Sequence, residues 1–307
     1  MTPDDLEALD ELEFSIRAIL PETYQDTYDE VQPVSMGSAS LKFDTDGKVA
    51  WNQIWGSFCD LAMAGGPPHK GVLLEPGDAA RVAADRDGYA RVTDEICRGV
   101  HLVTGLAARA SAAPGWVEVT CDNAGMAGWL ARAIVMENVS ARARGAVLEL
   151  PAGPAFRLEK EIKNVVTSVA KAAHYWNEHV PDLQQRSIGS MFSRMSRELP
   201  LVEPVYPTEG FWIDQHEIEC TRVADAIFVA AGLRRSDHRQ VGWIGLECGK
   251  VSGAIWMMRA LVVANILSRR EGTVLFVPIN QSIDPGGVRV IEAVTRFHHL
   301  AAVSGAL

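Results

Sequence analysis

The sequence predicts an α/β or α+β protein built as two tandem homologous domains from an internal duplication. Three observations carry that prediction. The stretch GWVEVTCDNAGMAGWLARAIVMENVSARARGAVLELP, Gly115–Pro151, returns at Gly242–Pro278 as GWIGLECGKVSGAIWMMRALVVANILSRREGTVLFVP. The two align without a gap, 127 positions apart, pairing Trp116 with Trp243, Cys121 with Cys248, Trp129 with Trp256 and Pro151 with Pro278. Helical and strand-like periodicities alternate within each copy, as mixed layer architectures require. A repeat this long indicates duplicated domains, because solenoid units recur at roughly 20–50 residues. The copies are expected to be related by a pseudo-twofold axis.

Each copy reads helix-strand-helix-strand-helix-strand. Residues 1–40 form an acidic amino-terminal arm, in which Leu6, Leu9, Ile16, Ile19 and Leu20 have the spacing of a short amphipathic helix. The first repeat domain, 41–155, opens with a helix over Lys48–Met63 and a strand over Gly71–Glu75. A helix over Tyr89–Ala108, a strand into Cys121, a helix over Ala124–Glu137 and the strand AVLELP follow. The second, 156–287, repeats the order: helix Glu161–His179, strand Leu201–Val205, helix Glu217–Leu233, a strand into Cys248, helix Val251–Ala264 and the strand TVLFVP. Residues 288–307 make a carboxy-terminal helix or tail. The turn-forming PAGPAF, 151–156, marks the boundary between repeats.

The 307 residues are 48% hydrophobic and 22% charged, enough to bury a core without disulfides or metals. A net charge of −10 repels phosphate backbones and argues against a nucleic-acid partner. No apolar run reaches membrane-spanning length, and the amino terminus lacks the basic and apolar regions of a signal peptide. Five cysteines without a C-x-x-C pair add to the expectation of a cytoplasmic protein with reduced thiols and no membrane partner. Homo-oligomer formation is compatible with these features and not required by them.

Cys121 and Cys248 each end a strand and precede a helix, where free N–H groups and the helix dipole favour a thiolate. Two such thiols facing each other suit proton transfer at one carbon from two sides. The arrangement resembles the cofactor-independent amino-acid epimerases and racemases, which also duplicate an α/β domain and place a Cys at a helix start in each. Their motif is Cys-Gly-x-Gly; here the positions read CDNAG and CGKVS. The resemblance implies Cys121 and Cys248 as the catalytic acid and base.

Arg132 and Arg259 occupy matched places in otherwise apolar helices. A buried guanidinium needs an anionic partner, either a carboxylate of the protein or a substrate anion. In SFCDLAMAGGPPHKG the Gly/Pro turn presents His69 and Lys70 with little freedom to lose, as a candidate acid/base group and a candidate anion contact. Cys59 and Asp60 lie close by in sequence, but their spacing to His69 matches no metal motif. On the Glu161–His179 helix, Lys163, Thr167, Lys171, His174 and Glu178 fall opposite the apolar stripe, offering two further anion-binding lysines and a second acid/base histidine.

No P-loop, G-x-G-x-x-G, G-x-S-x-G, H-E-x-x-H or EF-hand pattern occurs, so no nucleotide or metal cofactor is indicated. The expected function is acid–base proton transfer on a small anionic metabolite, by an isomerase, epimerase or lyase, in a cleft between the two domains. The alternative is a non-catalytic binding or maturation protein carrying a metal, a tetrapyrrole or another cofactor.

Overall fold

The computed structural model describes residues 2–25, 40–54, 60–205 and 210–307, the last with side chains from residue 215 onward. It is an α+β structure with two small antiparallel sheets, one in each of two compact units. One unit comprises Val31–Ala62 and Gly66–Gln185; the other comprises Met1–Glu30, Met63–Gly65 and Arg186–Leu307.

The four-stranded unit begins with helices α2 (Ala79–Ala84) and α3 (Arg86–Thr104). Asp78 and Asp85 start them by accepting the N–H groups of Arg81 and Gly88, each at 2.8 Å. Gly105, at φ 75°, ends α3 in the left-handed conformation that only a residue without Cβ adopts cheaply. Strands β1 (Ala107–Ala110) and β2 (Trp116–Thr120), helix α4 (Ala124–Met136), strands β3 (Arg142–Arg144) and β4 (Val147–Pro151) and helix α5 (Lys163–His179) follow. The sheet order is β1-β2-β4-β3, with Trp116 opposite Pro151. Every residue of α4 from Gly125 to Met136 is buried, which explains its nearly all-apolar sequence: β3 and β4 cover one side and α5 another.

The three-stranded unit contains α1 (Pro3–Ile19), α6 (Asp182–Glu198, whose first turn precedes the division), α7 (Gly210–Ala231), β5 (Trp243–Glu247), α8 (Val251–Val263), β6 (Arg269–Glu271), β7 (Val274–Pro278) and α9 (Val288–Ser304). Its sheet order is β5-β7-β6. Thr2 and Asp5 close a capping box at the start of α1, and Ile16, Ile19 and Leu20 are fully buried. Helix α8 is as apolar as α4 and packs on α1, α9, β6 and β7.

Several local features recur at or close to 127 residues apart. The bounds of β2, α4, β3 and β4 reappear at that offset in β5, α8, β6 and β7. Asn138 and Asn265, just past α4 and α8, take φ of 60° and 59°. Their Nδ2 groups donate to the carbonyls of Lys70 and Leu199, at 2.8 and 2.9 Å. Gly115 donates its N–H to the Tyr89 hydroxyl, and Gly242 donates to His216 Nε2, both at 3.0 Å.

Other expected elements differ. The helix over Lys48–Met63 is absent where the residues are described; single 3-10 turns, Trp51–Gln53 and Ala62–Ala64, stand there instead, and 55–59 lie outside the described residues. The Ala62 N–H is taken by the Glu137 carboxylate rather than by a carbonyl of the preceding turn. The strands over Gly71–Glu75 and Leu201–Val205 reduce to single parallel bridges, Leu74 with Val139 and Val202 with Ile266. Helix α5, which the sequence pattern placed with the second repeat, packs on α3 and α4, so the units divide between Gln185 and Arg186.

Candidate functional site

Glu137 closes α4 and is fully buried. A carboxylate at a helix carboxy terminus meets the unfavourable end of the dipole and needs strong compensation. Lys171, from the middle of α5 and 1% exposed, supplies it with an ion pair at 2.9 Å. The loop that precedes α2 supplies the rest: Ala62 donates its N–H to Oε1 at 2.9 Å, and His69 donates its N–H to Oε2 at 2.8 Å. That loop can fold so tightly because residue 66 is glycine; a Cβ there would lie 2.0 Å from the Asp60 carbonyl oxygen.

With its backbone held by Glu137, His69 places its ring beside α5. Nε2 lies 3.1 Å from Asn164 Oδ1, and since that oxygen only accepts, Nε2 carries the hydrogen. The lone pair is then on Nδ1, which meets no partner among the described residues. Burial holds the His69 pKa below the ordinary histidine value; Glu137 opposes the shift and Lys171 reinforces it. Burial thus favours the neutral form of the imidazole. Lys70, half-buried, is also shifted down by burial, against the pull of Glu161. Its N–H donates to the Glu137 carbonyl at 3.2 Å. On the same side of the chain the Tyr175 hydroxyl donates to Asp60 Oδ1 at 3.2 Å.

Of the residues named from sequence, His69, Lys70 and Lys171 come together here. Lys171 does so as the partner of Glu137 and not on a solvated face with Lys163 and His174. Lys163 is half-buried and its carbonyl accepts the Thr167 hydroxyl. His174 is exposed, its ring 5.2 Å from that of His179. Glu137 and Asn164 were not foreseen. The available signal was divergence between the copies: Ala264 stands where Glu137 does, in VVAN against VMEN.

The thiols behave opposite to the expectation from helix position. Cys121 and Cys248 are 4% and 8% exposed, and burial pushes both up to about 12, aided by Asp122 beside the first and Glu247 beside the second. The two helix starts differ: α4 carries a side-chain cap and α8 does not. Asn123 Oδ1 accepts the Met126 N–H at 2.9 Å on α4; on α8 the side chains of Lys250 and Ser252 donate to the carbonyls of Leu307 and Ala306. Cys220 is likewise buried and pushed up to about 12, and Cys97 is half-buried. All four are free thiols; Cys59 lies outside the described residues. At pH 8 a thiol near 12 holds roughly a thousandfold less thiolate than a free cysteine. Native protein treated with a disulfide-exchange reagent should therefore leave Cys121, Cys220 and Cys248 unlabelled until denaturant is added. Rapid labelling of Cys121 or Cys248 in peptide maps would contradict this.

The buried arginines donate to backbone carbonyls. Arg132 Nη1 reaches Gly128 O, one turn back on α4, at 2.9 Å, and Arg259 Nε reaches Met63 O at 2.8 Å. Among the described residues no group of three or more His, Cys, Asp or Glu is placed to hold a metal, and no helix is long and apolar enough to cross a membrane. Compared with protein-family models, curated proteins and solved structures, the chain matches none.

Proposed function

We propose that the protein is an enzyme that moves a proton on a small anionic metabolite, with His69 as the base and Lys70 as the contact for the anion. The observation that carries this reading is the His69 ring: neutral, fixed in one tautomer by Asn164, with its Nδ1 lone pair unused. A general base needs that combination of geometry and protonation state. The Glu137–Lys171 pair is the support that fixes the loop, not part of the chemistry. Isomerisation, epimerisation and elimination all begin with removal of a proton from carbon, and this site distinguishes none of them. We also read the two units as descendants of one duplicated domain, of which the four-stranded one took up the chemistry. That reading is supported by the element bounds recurring at 127 residues, and by Glu137 and His69 lying where the copies differ.

The test follows the proton. Protein incubated with a cell-extract pool of small carboxylates and phosphates in D2O should add one deuterium to a specific compound, read by mass spectrometry. His69→Gln should slow this by about a hundredfold or more, with an unchanged melt. The exchange rate should be level at neutral pH and fall as the pH drops below the ordinary histidine range, because the depressed pKa keeps the base form present until then. Absence of any exchange with wild type, or equal exchange with His69→Gln, would overturn the proposal.

A further inference from the structure

We infer that the four-stranded unit carries a second binding site, a groove along α3 that takes a small planar apolar anion such as an aromatic carboxylate. The groove has a volume of about 400 Å³ and shares no residue with the His69 cluster. That volume lies within the usual range of about 300–1,000 Å³ for small-ligand pockets.

Its floor is apolar: Val49, Val92 and Ile162 are buried. Phe43 and Phe156 stand beside that floor, and Phe43 leaves 55% of its surface in water. The loop bearing Phe43 is held by hydrogen bonds of its own. Asp44 Oδ1 accepts the N–H groups of Asp46 and Lys48 at 3.0 and 2.9 Å, the Asp44 N–H donates to Lys48 O at 2.8 Å, and Gly47 takes the φ of +73° that closes the turn. A large ring held out on an ordered loop, beside an apolar floor, offers a stacking surface for a planar ligand.

The charged residues of the lining are two cations and one carboxylate. Lys48 and Arg91 line the groove, both exposed, and neither side chain makes a hydrogen bond or ion pair among the described residues. The one carboxylate of the lining, Glu95, is already engaged: it accepts Trp51 Nε1 at 2.7 Å and is bridged by Arg98 at 2.6 and 2.9 Å. Two uncommitted cations over an apolar floor fit a ligand with a flat body and a carboxylate, the anion that a guanidinium fork binds bidentately. A nonpolar ligand would leave the cations unused, and a simple inorganic anion would leave the rings unused.

The test uses 2-naphthoate, measured by saturation-transfer NMR and calorimetry on the full chain, beside its neutral isostere 2-naphthamide. Saturable binding of the acid is expected, with the amide about tenfold weaker. Lys48→Met/Arg91→Met should weaken the acid at least tenfold and Phe43→Ala several-fold. Neither change should move the melting temperature, because these side chains are exposed and the two cations make no bonds. The assignment is overturned by naphthoate affinity unchanged in the double variant, or by absence of saturable binding at millimolar concentration. Binding of an acidic aromatic peptide without binding of naphthoate would overturn it in favour of a peptide site.

Discussion

Replacing Glu137 with alanine is expected to destabilise the protein by about 3–5 kcal/mol, because it removes the carboxylate ion-paired with a fully buried lysine. The same change leaves the N–H groups of Ala62 and His69 without their acceptor, and each buried donor left unmade costs about 1–3 kcal/mol. For a unit of roughly 150 residues a loss of this size lowers the melting temperature by about 10 °C. The informative control is the double variant Glu137→Leu/Lys171→Met, which removes both charges and keeps the volume. Buried ion pairs replaced whole by apolar groups are often neutral in stability, so the double variant should melt well above Glu137→Ala. A single variant within about 1 kcal/mol of wild type would show that the pair is not sealed from water.

Gly115→Ala should be nearly as damaging for a different reason. Gly115 has φ of +87°, and a Cβ at that position would lie 2.2 Å from the Gly77 carbonyl oxygen. Left-handed backbone costs a residue with a Cβ about 1–2 kcal/mol, and forcing apart two packed backbones adds a further 1–3 kcal/mol or so. A loss near 3–4 kcal/mol is expected in urea unfolding. Gly105→Ala isolates the first contribution, since Gly105 has φ of +75° and no atom within 4 Å of its virtual Cβ; about 1–2 kcal/mol is expected there. Equal losses at the two sites would mean that the close approach to Gly77 relaxes at no cost.

What was legible in the sequence was what short-range pattern dictates. Alternation in WVEVT and WIGLE, Pro at 151 and 278, and two apolar helices each with one arginine placed β2, α4 and β4, and β5, α8 and β7, to within a residue or two. Helix α6 escaped because Ile188 and Phe192 are its only buried residues, too few to set a period. Where its residues are described, the helix expected over 48–63 gives way for a tertiary reason, the capture of the Ala62 N–H by a carboxylate 75 positions away. His69 and Lys70 could be picked out because Gly and Pro around them announce a fixed turn. Lys171 could be picked out but not placed: its partner Glu137 lies on another helix, and helical spacing alone put the lysine on the wrong face. Helix position does not set the state of the thiols, because the field at a helix start is small beside the cost of ionising a group sealed in apolar surroundings.

The burial of the tryptophans has an optical consequence. Trp51, Trp116, Trp129 and Trp176 in the four-stranded unit, and Trp243 and Trp256 in the three-stranded one, are each no more than 4% exposed. Indole emission shifts to longer wavelength when water reaches the ring, so all six act as dark-to-solvent reporters of the unit that encloses them. Trp116 and Trp243 each lie under a guanidinium, with Arg142 at 4.1 Å and Arg269 at 5.2 Å from the ring centres, so their emission also registers loss of that contact. Exchanging Trp212, Trp243 and Trp256, the three tryptophans of the three-stranded unit, for phenylalanine would silence that unit and leave the other, so that a single chain yields a separate spectral record of unfolding for each of its halves.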